Sequence, residues 1–266
     1  FRSLHTEEAL LNRREQVGCL VVGVGGDDVD GDHRVDVVVQ YEEQRLKMLL
    51  VSDMDSTMIT VECIDELADF AGIKPEIAAI TERAMAGELD FAEALKARVA
   101  LLAGLEAEMI EQCLHDRVRP MPGAETLVRT MAAWGAHAVL VSGGFTSFTG
   151  PVAAMLGFAE VHANVLEIEQ GRLTGRLAAD IVDAATKRQV LQSAAGTLGL
   201  DLNSALAVGD GANDMPMIAE AVSANGLGVG YHPRPQLAAA ANFAVRHNDL
   251  TALLFAQGIK PEAWAQ

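Results

Sequence analysis

The sequence predicts an α/β protein, a parallel sheet layered with helices, and three observations carry that prediction. Buried apolar runs at Leu49–Val51, His137–Val141 and Ala205–Val208 each lead straight into a polar turn. Helical periodicities alternate with these runs. One long helical stretch, from Thr57 to about Arg119, separates the first strand from the second, as an insert over the strand ends would. A smaller α+β segment precedes all of this.

Composition narrows the classes of function. With 266 residues, half of them hydrophobic, the chain can bury a sizeable core in one large or two modest domains. A charged fraction of 21% is too low for a disordered chain with this much apolar content. The net charge of −17 argues against nucleic acid or an anionic membrane as partner, and makes single Lys and Arg positions informative for any phosphorylated substrate. Cys19, Cys63 and Cys113 have neither metal nor disulfide spacing, which fits a reducing cytosol and small buried side chains. The uncharged run Ala138–Ala159 could span a bilayer by length, but Ser142-Gly143-Gly144 and Gly150-Pro151 make it strand, loop and helix. The chain begins at Phe1 with no signal-peptide pattern, and the expectation is that its true N-terminus lies upstream.

Residues 1–46 read as helix (Glu7–Arg14), strand (Cys19–Val24), an aspartate-rich turn and strand (Arg34–Val39). The turn lacks the ligand spacing and closing Glu of a calcium loop, so it is a hairpin tip. Leu49–Thr57 is the central element. A buried strand opens into Asp53 and Asp55, and alternation along an extended chain would point both to one side. Two adjacent carboxylates suit either a divalent cation or the division of nucleophile from proton carrier.

In the helical insert, Glu62 precedes a helix through Ile64, Leu67 and Phe70, and Pro75 opens the next. Asp90 and Glu93 form a capping-box start. Phe91, Leu95, Arg98 and Leu102 then make one stripe, in which Arg98 is the only charge and calls for a carboxylate partner. After Pro120–Gly123 come a helix (Ala124–Trp134) and the strand His137–Val141. Its exit, Ser142-Gly143-Gly144, offers a hydroxyl and bare amides that can cradle a phosphate. Val161–Leu177 reads as a hairpin. Lys187 lies in the first turn of the next helix, against the helix dipole, which suits a solvated face or an anion held at that end. The strand Ala205–Val208 exits into Gly209-Asp210-Gly211-Ala212-Asn213-Asp214, hard oxygen ligands suited to Mg²⁺. Short strands at Gly226–Val229 and Phe243–Val245 and a helix at Asp249–Ala256 complete the chain.

These features fit phosphoryl transfer through an aspartyl-phosphate, and together they resemble the haloacid dehalogenase (HAD) superfamily. The carriers are Asp53-x-Asp55-x-Thr57, the Ser142 strand end, Lys187 and Gly209-Asp210-x-x-Asn213-Asp214. With Glu62-Cys63-Ile64-Asp65-Glu66-Leu67-Ala68, the pattern is similar to superfamily members that act on phosphoserine. The resemblance implies a Rossmann-like doubly wound parallel sheet as the HAD core (47–60 and 120–258), a helical cap insert (61–119), and a tail (259–266). It places residues 1–46 outside the match, compatible with the remnant of an ACT-type module. It further implies Mg²⁺-dependent hydrolysis of O-phospho-L-serine to L-serine and phosphate, the last step of L-serine biosynthesis, in the cytoplasm; a homodimer is compatible with the sequence, which does not set the oligomeric state.

By the same resemblance Asp53 is the nucleophile, Asp55 the general acid and then base, and Lys187 a phosphate-holding catalytic residue. Mg²⁺ would be held by Asp53, Asp55 (through its backbone carbonyl) and Asp210, with Asp214 in support. Ser142, Gly143 and Asn213 would contact the phosphoryl group. Glu62 would meet the substrate ammonium and Arg98 its carboxylate, with Met85 and Phe91 closing over it. Two other readings stay open: a relative acting on another small phosphorylated amino acid or passing the group to another alcohol, and a binding protein that kept the fold without the chemistry. The charge pair Glu62–Arg98 favours a zwitterion, and the intact set Asp53, Asp55, Lys187 and Asp210 opposes the binding protein.

Overall fold

The computed structural model describes the backbone of residues 19–27, 33–85 and 88–265, and side chains over 35–40, 42–84 and 88–265. The helix expected at Glu7–Arg14 and the Cys19 side chain lie outside the described residues, as does the Met85 side chain.

Strands β1 (Cys19–Asp27) and β2 (His33–Tyr41) form an antiparallel hairpin. β2 alternates: Val35 and Val37 are exposed while Asp36 and Val38 are buried. Asp36 docks the hairpin by accepting hydrogen bonds from the amides of Arg246, His247 and Asn248 at 2.9, 3.0 and 3.1 Å.

β3 (Leu49–Ser52) is buried throughout, as a central parallel strand covered on both faces must be. Leu50 packs in one core layer and Leu49 and Val51 in the other. The helices α1 (Cys63–Phe70), α2 (Lys74–Met85), α3 (Phe91–Leu101) and α4 (Glu108–Arg117) follow. The capping box at α3 is present, with Asp90 accepting from the Glu93 amide at 2.8 Å and Glu93 from the Asp90 amide at 3.0 Å. Next come α5 (Ala124–Ala133), β4 (His137–Phe145), α6 (Thr146–Leu156), β5 (Glu160–Asn164), β6 (Leu166–Glu169), β7 (Arg172–Leu177) and α7 (Ala184–Leu198). The chain ends with β8 (Ala205–Gly209), α8 (Met215–Ser223), β9 (Leu227–Tyr231), α9 (Pro235–Ala240), β10 (Phe243–Val245) and α10 (Ala252–Ala256).

Six strands form one parallel sheet in the order β10-β9-β8-β3-β4-β5. β3 lies between β4 and β8, with Ser52 level with Leu140 on one side and Val208 on the other. The three polar strand exits therefore meet at one edge, the carboxyl edge where open α/β sheets bind ligands.

The stretch expected as one hairpin over Val161–Leu177 divides. Its first part is β5, which pairs in parallel with β4, and only β6 and β7 make a hairpin. The Ser-Gly exit is also more strand-like than expected. β4 continues to Phe145, but its pairing with β5 breaks between Val141 and Phe145.

Candidate active site

Asp53 follows β3 directly, its amide donating to Val208 O at 3.0 Å. β3 ends at Ser52, so Asp53 and Asp55 lie beyond its ladder. The chain instead turns tightly, the amides of Thr57, Met58 and Ile59 all donating to Met54 O at 2.8–3.2 Å. The turn places both carboxylates on the wall of one cavity of about 520 Å³. Ser56 sits in the turn at φ +56°, a left-handed conformation that is uncommon for a residue with a side chain.

Lys187 is 1% exposed, which excludes the solvated-face reading of its helix position. Its Nζ lies 2.7 Å from Asp53 Oδ1 and 2.7 Å from Asp214 Oδ1. The fully buried Asp214 also accepts through Oδ2 from the amides of Asp210 and Gly211, at 3.2 and 3.1 Å. Gly209 is required here, since a methyl group on it would overlap the Asp214 carboxyl.

Carboxylate oxygens of Asp53, Asp210 and Asp214 lie within 4.8 Å of one another. One ammonium cannot balance three carboxylates in so dry a place. Burial first, then Asp214, holds the Asp53 carboxyl well above its usual range in spite of Lys187. Asp210 is pushed up to about 6 by burial, Asp214 and Glu62. Burial would lower the Lys187 pKa, but its two carboxylate partners outweigh that and keep it charged. An oxygen-only donor set with a deficit of positive charge fits a hard divalent cation. The Asp55 side chain is not in this group.

Asp55 has a different environment. Its carboxyl is pushed up to about 7, by burial and then by Glu62, and its Oδ1 has no hydrogen-bond partner among the described residues. The Asp53 oxygens also differ. Oδ1 accepts from Lys187 and from the Met54 amide at 2.7 Å, whereas among the described residues Oδ2 has only Asn213 Nδ2, at 3.3 Å.

Across the cavity, Ser142 Oγ accepts from the Gly144 amide at 2.9 Å. Phe91 reaches down from the helical insert, and a methyl group on Gly143 would lie 3.2 Å from Phe91 Cζ. Glu62 accepts from Ser56 Oγ at 2.6 Å. Arg98 is half-buried, and its only hydrogen bond among the described residues is a long one, 3.4 Å, to Ala94 O. Burial lowers its pKa, while Asp65 and Glu62 act to raise it. Asp53, Asp55, Glu62, Phe91, Arg98, Ser142, Gly143, Asp210 and Asn213 thus share one cavity, with Lys187 and Asp214 behind its floor.

Ser56, Asp65 and Arg234 line the same cavity and were not anticipated. Arg234 had one legible signal, since it follows the exit of β9, a strand of the same sheet edge. Ser56 lay inside the Asp53–Thr57 motif.

The Asp53 turn, the lysine shared by two carboxylates and the acidic exit of β8 define a class of hydrolase. The chain belongs to the haloacid dehalogenase-like hydrolases, whose family model matches residues 50–219. More narrowly, it is similar to the phosphoserine phosphatase of Albidiferax ferrireducens, 46% identical over 211 residues that cover 77% of this chain and 87% of that protein. Among solved structures, a probable phosphoserine phosphatase from Vibrio cholerae superposes with a TM-score of 0.74 at 36% identity, covering 85% of this chain and 70% of its own. A phosphoserine phosphatase solved as a phospho-aspartyl intermediate analogue gives 0.71 at 34% identity, covering 79% of this chain and 98% of its own.

Proposed function

We propose that the chain hydrolyses O-phospho-L-serine to L-serine and inorganic phosphate through an aspartyl-phosphate on Asp53, with Mg²⁺ as cofactor. The observation that carries the reading is the division of one cavity, with the Asp53–Lys187–Asp210–Asp214 cluster in its floor and the opposite charges Glu62 and Arg98 on its wall. A sugar phosphate has no use for that second pair. A phosphorylated amino acid presents an ammonium to Glu62 and a carboxylate to Arg98, which explains why Arg98 has no ion pair of its own among the described residues.

The oxygen that attacks phosphorus is Asp53 Oδ2, because Oδ1 is committed to Lys187 and the Met54 amide. Ser142, Gly143 and Lys187 hold the phosphoryl oxygens. As the bond from phosphorus to the seryl oxygen breaks, Asp55 gives that oxygen its proton, and serine leaves. A carboxyl with a pKa of about 7 carries a proton over a useful share of molecules at neutral pH. Asp55 then takes a proton from water, whose oxygen attacks phosphorus, and the bond to Asp53 breaks to release phosphate. Asp53, the Asp55 carbonyl and Asp210, with Asp214 in support, would hold Mg²⁺, which when bound offsets charge on the phosphoryl oxygens. Phe91 closes over the substrate and excludes water from the first half-reaction. Every group named lies on a single chain.

By the same reading the enzyme completes L-serine biosynthesis in the cytoplasm, a location its cysteine usage supports. Among the described residues no helix is long and apolar enough to cross a membrane.

The test is phosphate release from O-phospho-L-serine, phosphohomoserine and a sugar phosphate, each with Mg²⁺ and with chelator. The expected result is fast release from phosphoserine, lost in chelator and restored by Mg²⁺. Release from the others but not phosphoserine keeps the chemistry and sinks the substrate; no release from any sinks both.

Arg98→Ala should lower kcat/KM for phosphoserine about tenfold or more, the value of one charge-assisted contact, and leave p-nitrophenyl phosphate nearly unchanged. Equal losses on both would return Arg98 to a structural role.

A further inference from the structure

Asn164 ends β5, is 1% exposed, and takes no part in the reaction outlined above. Both ends of its amide are used inside the protein. Nδ2 donates to Gly143 O at 2.8 Å, and Oδ1 accepts from the Val182 amide at 2.9 Å.

The need for this side chain is local. β4 and β5 pair in register through Val141–His162, shift, and meet again at Phe145–Asn164. The intervening segment leaves the Gly143 carbonyl without a ladder partner, and a buried backbone group left unpaired is costly. Asn164 supplies the missing donor. The peptide joining Gly143 to Gly144 is planar, with its C=O and N–H pointing opposite ways. Asn164 holds the C=O, and Ser142 Oγ accepts from the N–H at 2.9 Å, so the plane is fixed from both sides.

The other end of the Asn164 amide reaches the approach to α7. Val182 precedes Asp183, which caps α7 by accepting from the Thr186 amide at 2.8 Å. The next residue is Lys187, whose own amide donates to Asp183 O at 3.0 Å.

We infer that Asn164 is a positioning residue for the phosphoryl group: one buried side chain ties the β4 exit to the start of the Lys187 helix and fixes the spacing of the two. It touches no substrate and acts through Gly143 and Lys187. The inference rests on the reading of Ser142, Gly143 and Lys187 as the holders of phosphate.

Two variants test it. Asn164→Ala removes both bonds. Asn164→Asp keeps the acceptor for the Val182 amide but turns a carboxylate oxygen toward the Gly143 carbonyl, which isolates the donor half. The readouts are the competitive inhibition constant of inorganic phosphate, KM for phosphoserine and for p-nitrophenyl phosphate, and the thermal midpoint, all with Mg²⁺. We expect the phosphate inhibition constant to rise about tenfold or more in both variants, with both KM values rising in parallel and the preference between substrates unchanged. A lowered midpoint with an unchanged inhibition constant would overturn the inference, as would a loss confined to phosphoserine. If neither variant folds, Asn164 is structural and the inference fails. Wild-type protein that phosphate does not inhibit would show that the cradle reading itself is wrong, a different failure from variants that bind phosphate normally.

Discussion

Asp53→Asn should lower kcat for phosphoserine by about 10⁴-fold or more, since an amide oxygen cannot form the acyl phosphate and no other group in the cavity stands in its place. The fold should survive, and its thermal midpoint in chelator should hold or rise. In the wild-type protein Asp53 is 4% exposed and its charge is disfavoured by burial and by Asp214. Replacing it with a neutral isostere leaves Lys187 and Asp214 as a one-to-one pair at 2.7 Å. The amide oxygen can still accept from Lys187 and from the Met54 amide. The new NH₂ would face Asn213 Nδ2, now 3.3 Å from Asp53 Oδ2, and the partly exposed Asn213 amide answers by turning over. Active-site carboxylates that raise the energy of the folded state are a common trade of stability for function. Steady-state kinetics with Mg²⁺, beside thermal melts in chelator, check both halves. Retained turnover would overturn the nucleophile assignment, and a collapsed fold would make Asp53 a structural residue.

Much of this site was legible because it is built from strand exits. A buried apolar run that stops at a polar turn shows in sequence, and parallel order brings such exits to one edge. That is why Asp53, Ser142 and Asp210 could be grouped before any contact was known. Lys187 was legible only as an oddity, a cation against a helix dipole, and its two carboxylates lie far off in the chain. Arg98 stood out as one charge in an apolar stripe. The misreadings have local causes. β5 is the edge strand of the sheet and carries partly exposed polar residues, so it lacks the continuous apolar run of an inner strand and the sequence over Val161–Leu177 reads as one hairpin. The turn that follows the Asp53–Asp55 pair was not legible, since the positive φ at Ser56 leaves no mark in a serine. Asn164 carries no pattern at all. Its part follows from a ladder break that only the register reveals.

Lys187→Met should be the most destabilising single change at the site. Methionine matches the stem in length and fills the same space, so packing is kept and charge is the variable. The ammonium lies 2.7 Å from two buried carboxylates, and without it neither Asp53 nor Asp214 has a cation within reach among the described residues. Removing one member of a buried ion network typically costs about 3–5 kcal/mol. For a chain of this size that is a drop in thermal midpoint of roughly 10 °C. The sign of the pH effect in chelator follows from linkage. Asp53 already has a folded-state pKa above its unfolded value, and losing Lys187 raises it further. A carboxyl of that kind binds its proton more readily folded than unfolded. The deficit of the variant should therefore be full above the folded pKa and shrink as pH falls through it. Mg²⁺ should recover part of the lost midpoint, because the stranded oxygens of Asp53 and Asp214 belong to the same cluster as Asp210. Turnover should stay lost even with the metal present, since a cation on the carboxylates does not replace an ammonium on the phosphoryl oxygens. Melts of variant and wild type at several pH values, in chelator and in Mg²⁺, separate these effects. A midpoint within two or three degrees of wild type would mean that the charge balance argued for the floor of the cavity is mistaken.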